Sequence, residues 1–326
     1  MGHALCYLII FLTFPFQCMD KLGIVNRKNG EQDKSFRTAK DVALVLSSGG
    51  ARGLAHIGAI EELEAQGYRI TSIAGCSMGA LIGGVYAAGK LKEFREWMKT
   101  IDRKKMLELT DFSLSLNHIV KGSRIIEAIM EFVPDMLIED LPIPYCAVAT
   151  DLKTGHEVVF SKGSLFDAIR ASISLPSFYE PVHRDGMILI DGGVTNPIPM
   201  NRVARHEGDI LVGVDVSGHD YKTQWEIQQE LSEKRKRSKS LSQQILNKLI
   251  PDSLDFNYYT MLSRVSSLLI RQNSILMAQL MKPDVLVDIQ MSRYGGFDYD
   301  KSEKLITIGR QKTMQALRKL NNNAII

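Results

Sequence analysis

Ser72-Ile73-Ala74-Gly75-Cys76-Ser77-Met78-Gly79-Ala80 is the stretch that decides the fold. Ser72 to Gly75 reads as a short buried strand, and Met78 to Ala88 as a helix dense in glycine and alanine. Between them Gly75-Cys76-Ser77-Met78-Gly79 fits G-x-S-x-G, in which a serine rides a sharp strand-to-helix turn with its hydroxyl projecting from the sheet edge. Sterics demand the flanking glycines, because a side chain at either flank would strike neighbouring backbone at so tight a turn. A plain packing turn whose serine caps the helix would give the same five letters, so the pattern draws its weight from its context.

Strand, glycine turn and helix occur once before. Val42 to Leu46 is a continuous apolar run ending in Ser47-Ser48-Gly49-Gly50, as a buried parallel strand entering a turn would look. Leu54, Ile57, Ile60 and Leu63 then recur at helical spacing until Gly67 stops the segment. Further strands are predicted at Tyr145–Thr150, Glu157–Ser161, Met187–Ile190, Ile210–Val216 and Val285–Ile289, with a helix at Leu165–Ser172. The alternation predicts an α/β fold: a mostly parallel sheet with helices on both faces. Lys222, Lys234, Arg235, Lys236, Arg237, Lys239 and Lys248 outnumber the acids of the stretch from Tyr221 to Leu249. It reads as a solvated helix or an excursion from the core. Long helices are predicted at Tyr258–Met281 and Lys301–Leu320. The expected organisation is a lead-in over 1–40, an α/β domain over 41–220, and over 221–326 a basic excursion followed by helices packed on the core.

The chain has 326 residues, 45% hydrophobic and 24% charged, enough for one large core with an appended part. A formal charge of +3 without arginine-aromatic interleaving excludes a nucleic-acid binder. Cys6, Cys18, Cys76 and Cys146 lie far apart with no C-x-x-C pair, which predicts neither a zinc site nor a disulfide framework and suits a reducing compartment. The apolar run from Ala4 to Phe16 has signal-peptide length but no preceding Lys or Arg and no Ala-x-Ala-like cleavage site, and it is short for a membrane span. A start at Met19 is one reading of it. The expectation is a cytoplasmic protein touching a membrane peripherally, the alternative an exported or N-terminally anchored one.

A serine hydrolyses nothing without donors for the developing oxyanion. Ser48-Gly49-Gly50-Ala51-Arg52-Gly53 offers successive amides at a helix start, where the dipole adds to them. Such turns also bind phosphate, but neither G-K-[S/T] nor G-x-G-x-x-G is present. Arg52 either meets a lipid phosphate or braces the loop. For the base, Asp191 ends a predicted strand and precedes Gly192-Gly193, which would place it at the same sheet edge as Ser77. Burial beside a serine would raise its pKa toward a useful value. An Asx turn explains Asp-Gly-Gly equally well, and a Ser-Asp-His triad using Asp151 or Asp191 with His206 or His219 stays open.

In order and spacing, the glycine-rich turn ending in Arg-Gly, then G-x-S-x-G, then Asp-Gly-Gly resemble the patatin-like phospholipase family. Ala171-Ser172-Ile173-Ser174-Leu175-Pro176, followed by Pro181-Val182, is similar to the segment that family carries ahead of its aspartate. The resemblance spans about Val42 to Arg205. It implies a three-layer patatin-like fold and a lipid acyl hydrolase with a Ser-Asp dyad and no catalytic histidine or metal. Ser77 would be the nucleophile in an elbow of Gly75, Cys76, Met78 and Gly79, Asp191 the base, and Gly49, Gly50 and neighbouring amides the oxyanion donors. Ser48 departs from the family by standing where it has the first of three glycines. The implied partner is a lipid or phospholipid substrate, and no cofactor is expected. A thioesterase or acyltransferase using the same dyad, or a non-catalytic lipid-binding regulator, are the competing readings.

Overall fold

The apolar runs of the sequence become the strands of one mixed sheet in the computed structural model. It describes residues 41–109, 123–176, 178–218, 258–291, 294–295 and 298–323. The N-terminal lead-in, the basic stretch before Tyr258 and His219 lie outside the described residues. The strands are β1 (Asp41–Leu46), β2 (Arg69–Cys76), β3 (Tyr145–Asp151), β4 (Glu157–Phe160), β5 (Val182–Arg184), β6 (Met187–Asp191), β7 (Ile210–Asp215) and β8 (Val285–Asp288). They order as β5-β6-β3-β2-β1-β7-β8, with β4 paired to β3. From β3 through β8 the path is parallel, whereas β4 and β6 join β3, and β5 joins β6, antiparallel. The central β3 and β7 are buried at every residue, which explains their unbroken apolar character.

The described helices are α1 (Ala55–Ala65), α2 (Met78–Ala87), α3 (Leu91–Lys99), α4 (Arg103–Leu109), α5 (Ser123–Met130), α6 (Leu165–Ser172), α7 (Tyr258–Met281) and α8 (Ser302–Asn323). Helices α1, α2, α6 and α8 cover one face of the sheet, where Leu44, Leu46, Ile73, Ile82, Leu165 and Leu305 share one core. On the other face Ala43, Val45, Ala74 and Leu211 pack under Ile198, Met200 and Val203, with Met277, Ala278 and Met281 of α7 against them. Helix α2 buries all but Tyr86 of its ten residues, as a helix apolar all round must.

Pairing along β3 fixes the site. Val148 pairs with Cys76 of β2, and the next residue, Ala149, pairs with Asp191 of β6. Val148 and Ala149 pair with Val159 and Val158 of β4 on the opposite edge. Thus β2 and β6 lie end to end along one edge of β3, their carboxyl ends facing, and Ser77 and Asp191 follow from that register.

Helices α1 and α8 cross backbone to backbone. A Cβ on Gly309 would run into the Ala55 carbonyl and come within 2.9 Å of its Cα, and one on Gly58 would meet the Ile306 carbonyl and lie 2.8 Å from the Arg310 nitrogen. Gly309→Ala gains about 1 kcal/mol of helix propensity, but parting two main chains costs more. The expected net loss is about 2 kcal/mol, read from the urea midpoint. An unchanged midpoint would show that the crossing is loose.

Candidate active site

The turn after β2 forces Ser77 to φ 53° and ψ −120°, a region L-residues enter at a cost of about 1–3 kcal/mol. Two glycines permit it. A Cβ on Gly75 would lie 2.5 Å from the Gly79 carbonyl oxygen, and one on Gly79 would drive into the Leu46 carbonyl and lie 2.7 Å from that of Ser47. The Ser77 amide donates to Ser172 Oγ at 2.8 Å, and Ser172 Oγ donates to the Val148 carbonyl at 2.6 Å. Ser172, fully buried at the end of α6, therefore ties the elbow to β3. The sequence reading quoted Ser172 without giving it this task.

Asp191 is 4% exposed and lines the same cavity as Ser77, whose side chain is close enough to act on its carboxyl. Its Oδ1 accepts from the Gly193 amide at 2.7 Å, and its own amide donates to the Ser174 carbonyl at 2.9 Å. Burial pushes the carboxyl up from 3.8 to about 6, against the opposite pull of the nearby Ser77 side chain and the Gly193 amide. Cys76 Sγ stands 4.0 Å from Oδ1, and burial holds its thiol well above the ordinary range.

Both side chains open onto a cavity of about 290 Å³. Ser48, Gly49, Gly50 and Arg52 form one side, Ile125, Ile126 and Ile129 of α5 another, and Leu175 and Tyr179 a third; Met78, Leu81, Ser267 and Ile270 also reach it. The Ser48 amide is spent on the Pro197 carbonyl at 2.8 Å. Gly50 has φ 56°, and Arg52 Nε donates to the Gly49 carbonyl at 3.2 Å, bracing the turn. Ala51 and Gly53 are buried behind this turn and do not line the cavity; a Cβ on Gly53 would strike Met78. Helix α5 was missed by the sequence reading, although Ile125, Ile126 and Ile129 carry helical spacing. Arg170 pins the third wall, reaching Ser174 Oγ at 2.7 Å and the Glu180 carbonyl at 2.9 Å, with its guanidinium 6.0 Å from the Tyr179 ring centre.

No described histidine lines this cavity. His56 is buried with Nε2 2.9 Å from the Ser47 carbonyl, and burial pushes it down to about 4, so the ring is neutral with its proton on Nε2. His206 borders a separate cleft with Asp41 and Arg69. Asp151 accepts from Thr154 Oγ1 at 2.7 Å and from the Ile188 amide at 3.1 Å, inside a turn. Among the described residues no cluster of His, Cys, Asp or Glu could hold a metal, and no helix is long and apolar enough to cross a membrane.

With this geometry the chain can be set beside known proteins. Residues 44–204 match the patatin-like phospholipase family model. Over those residues the chain carries a patatin-like phospholipase domain. An uncharacterised NTE family protein of Mycobacterium bovis is 48% identical over 179 residues, 55% of this chain and 50% of that protein. The neuropathy target esterase sws of Drosophila melanogaster is 31% identical over 67% of this chain and 16% of its own length. Patatin-like phospholipase domain-containing protein 6 of Mus musculus is 35% identical over 56% of this chain and 14% of its own. The alignments thus span half or less of these curated relatives.

The raised carboxyl has a consequence for stability. The native state holds a proton on Asp191 that the unfolded chain releases near 3.8, so this contribution is complete at low pH and is lost as pH climbs toward about 6. Asp191→Asn removes the buried anion. Its stability should match wild type near pH 4 and exceed it by about 1–3 kcal/mol at pH 8, measured by urea unfolding across pH. A constant difference would mean that Asp191 titrates normally.

Proposed function

We propose that this site hydrolyses acyl esters of lipids through a Ser77–Asp191 dyad. The observation that carries the reading is that a strained serine and a buried carboxyl, its pKa raised to about 6, line one apolar cavity together. An aspartate with an ordinary pKa is a weak base, and one at about 6 is ionised at neutral pH yet has gained proton affinity. Asp191 takes the Ser77 hydroxyl proton as Oγ attacks the ester carbonyl. The tetrahedral oxyanion faces the amides of Gly49 and Gly50, donors each contributing about 3 kcal/mol in comparable sites. Collapse expels the alcohol, which recovers the proton from Asp191 and leaves an acyl ester on Ser77. Water then attacks that ester while Asp191 again takes a proton; the fatty acid leaves and Ser77 is restored. Ile125, Ile126, Ile129 and Leu81 would receive the acyl chain, and Arg52 stands where a head-group phosphate could reach it.

Ser77→Ala and Asp191→Asn should each lower kcat on a p-nitrophenyl ester by at least about a thousandfold, with the double variant little worse than either. Ser77→Ala should also lose labelling by an alkyl fluorophosphonate. Substituting His156, His183, His206 or His219 singly by Ala should leave the rate within about threefold; an indispensable histidine restores the triad. Because the base must be unprotonated, kcat/KM should rise with pH through about 6 and then level. A profile flat from pH 4 to 8 removes Asp191 from the proton transfer.

A further inference from the structure

Helix α7 is apolar on two opposite faces. Inward, Ser267 and Ile270 reach the cavity and Met277, Ala278 and Met281 pack on the sheet. Outward, the exposed residues from 265 to 280 are Val265, Ser266, Leu268, Leu269, Gln272, Leu276, Gln279 and Leu280. None is charged, and Leu269, Leu276 and Leu280 are each at least 60% exposed. At 100° per residue Val265, Leu269, Leu276 and Leu280 form one stripe, about 22 Å long at 1.5 Å per residue. Helix α8 shows what an ordinary solvent face of this protein looks like. Its exposed positions include Glu303, Lys304, Arg310, Lys312, Arg318 and Lys319.

We propose that the outer face of α7 seats the protein on an anionic phospholipid bilayer, beside the cavity that the same helix walls. Three observations select a bilayer. An uncharged leucine stripe can enter the acyl boundary, which needs no matching polar partner. Charge agrees, because α7 carries two arginines, Arg264 and Arg271, and no carboxylate from Tyr258 to Met281. Position agrees as well: the helix lies between the outer surface and the cavity, and the exposed Val194, three residues past Asp191, adjoins it through the Asn273 side chain, whose Nδ2 lies 3.4 Å from the Val194 carbonyl. The proposal rests on the lipid-hydrolase reading for its purpose, since a docked α7 would bring the substrate phase to the cavity.

The test sediments the full chain with sucrose-loaded vesicles of phosphatidylcholine, with and without phosphatidylglycerol, and compares it with L269Q/L276Q/L280Q. Wild type should pellet with the anionic vesicles, and the triple variant should bind them on the order of a hundredfold more weakly. Hydrolysis of a soluble ester and fluorophosphonate labelling should be unchanged, while release of fatty acid from vesicle phospholipid falls. Equal pelleting of the two proteins, or a wild type that ignores all vesicles, overturns the proposal. So does a wild-type dimer that the triple variant splits without any vesicle binding, which would assign the face to a second copy. A wild type that pellets but neither labels nor hydrolyses would defeat the hydrolase reading and leave the docking face standing.

Discussion

Two strands meeting head to head on one edge of β3 is the constraint from which the site follows. With Cys76 opposite Val148 and Asp191 opposite Ala149, neither chain can continue in the plane of the sheet. The first escapes through the elbow at Ser77, at the cost of a backbone conformation that its own residue type disfavours. The second escapes through Gly192, where a Cβ would collide with the Val148 carbonyl. The Ser77 and Asp191 side chains then leave from adjacent positions, without a long loop to hold either one. Ser172 closes the arrangement by bridging the Ser77 amide to that same Val148 carbonyl.

Asp191 and Asp215, buried at strand ends, are both raised by burial but are met by different partners. Asp215, at the end of β7, is met by Arg271 at 2.8 Å and by the Ser217 hydroxyl at 2.6 Å and fastens α7 to the sheet, while burial still holds its carboxyl above the ordinary range. Asp191 accepts from one amide and has the Ser77 side chain beside it, both neutral groups. Neutral donors stabilise an anion less than a guanidinium does, and at Asp191 desolvation outweighs them with no countercharge in opposition. The result is a carboxyl that can still accept a proton near neutral pH.

The features readable in the sequence were those fixed by local sterics. The G-x-S-x-G elbow, the glycine turn after β1 and the Asp-Gly-Gly turn after β6 must use those residue types wherever the chain folds this way. The strands were legible for a related reason, since β1, β3 and β7 are buried on both faces and so read as unbroken apolar runs. The direction of β6 was not legible: Met187 to Asp191 reads the same parallel or antiparallel, and only pairing with β3 decides it. Helices α3, α4 and α5 escaped notice because short amphipathic segments carry weak signals, even though Leu91, Phe94 and Met98 recur at i, i+3 and i+7 and are buried. The missed α5 supplies a whole wall of the cavity.

Chemistry and selectivity consequently sit on different parts of the molecule. Ser77 and Asp191 are anchored to the buried middle of the sheet, where β3 pairs on both edges and no residue can shift without breaking a ladder. The walls come from α5, α7 and the Leu175 and Tyr179 side; α5 and α7 lie outside the sheet and meet it through side chains, and the third wall is tied to β6 by the bond from the Asp191 amide to the Ser174 carbonyl. A change at Ile125 or Leu175 can reshape the cavity while the β2–β3–β6 register stays fixed. A change at Gly79 or Gly192 cannot, because its cost falls on the backbone that sets that register. The same fold can therefore keep the geometry of the Ser77–Asp191 pair while the walls around it vary in shape.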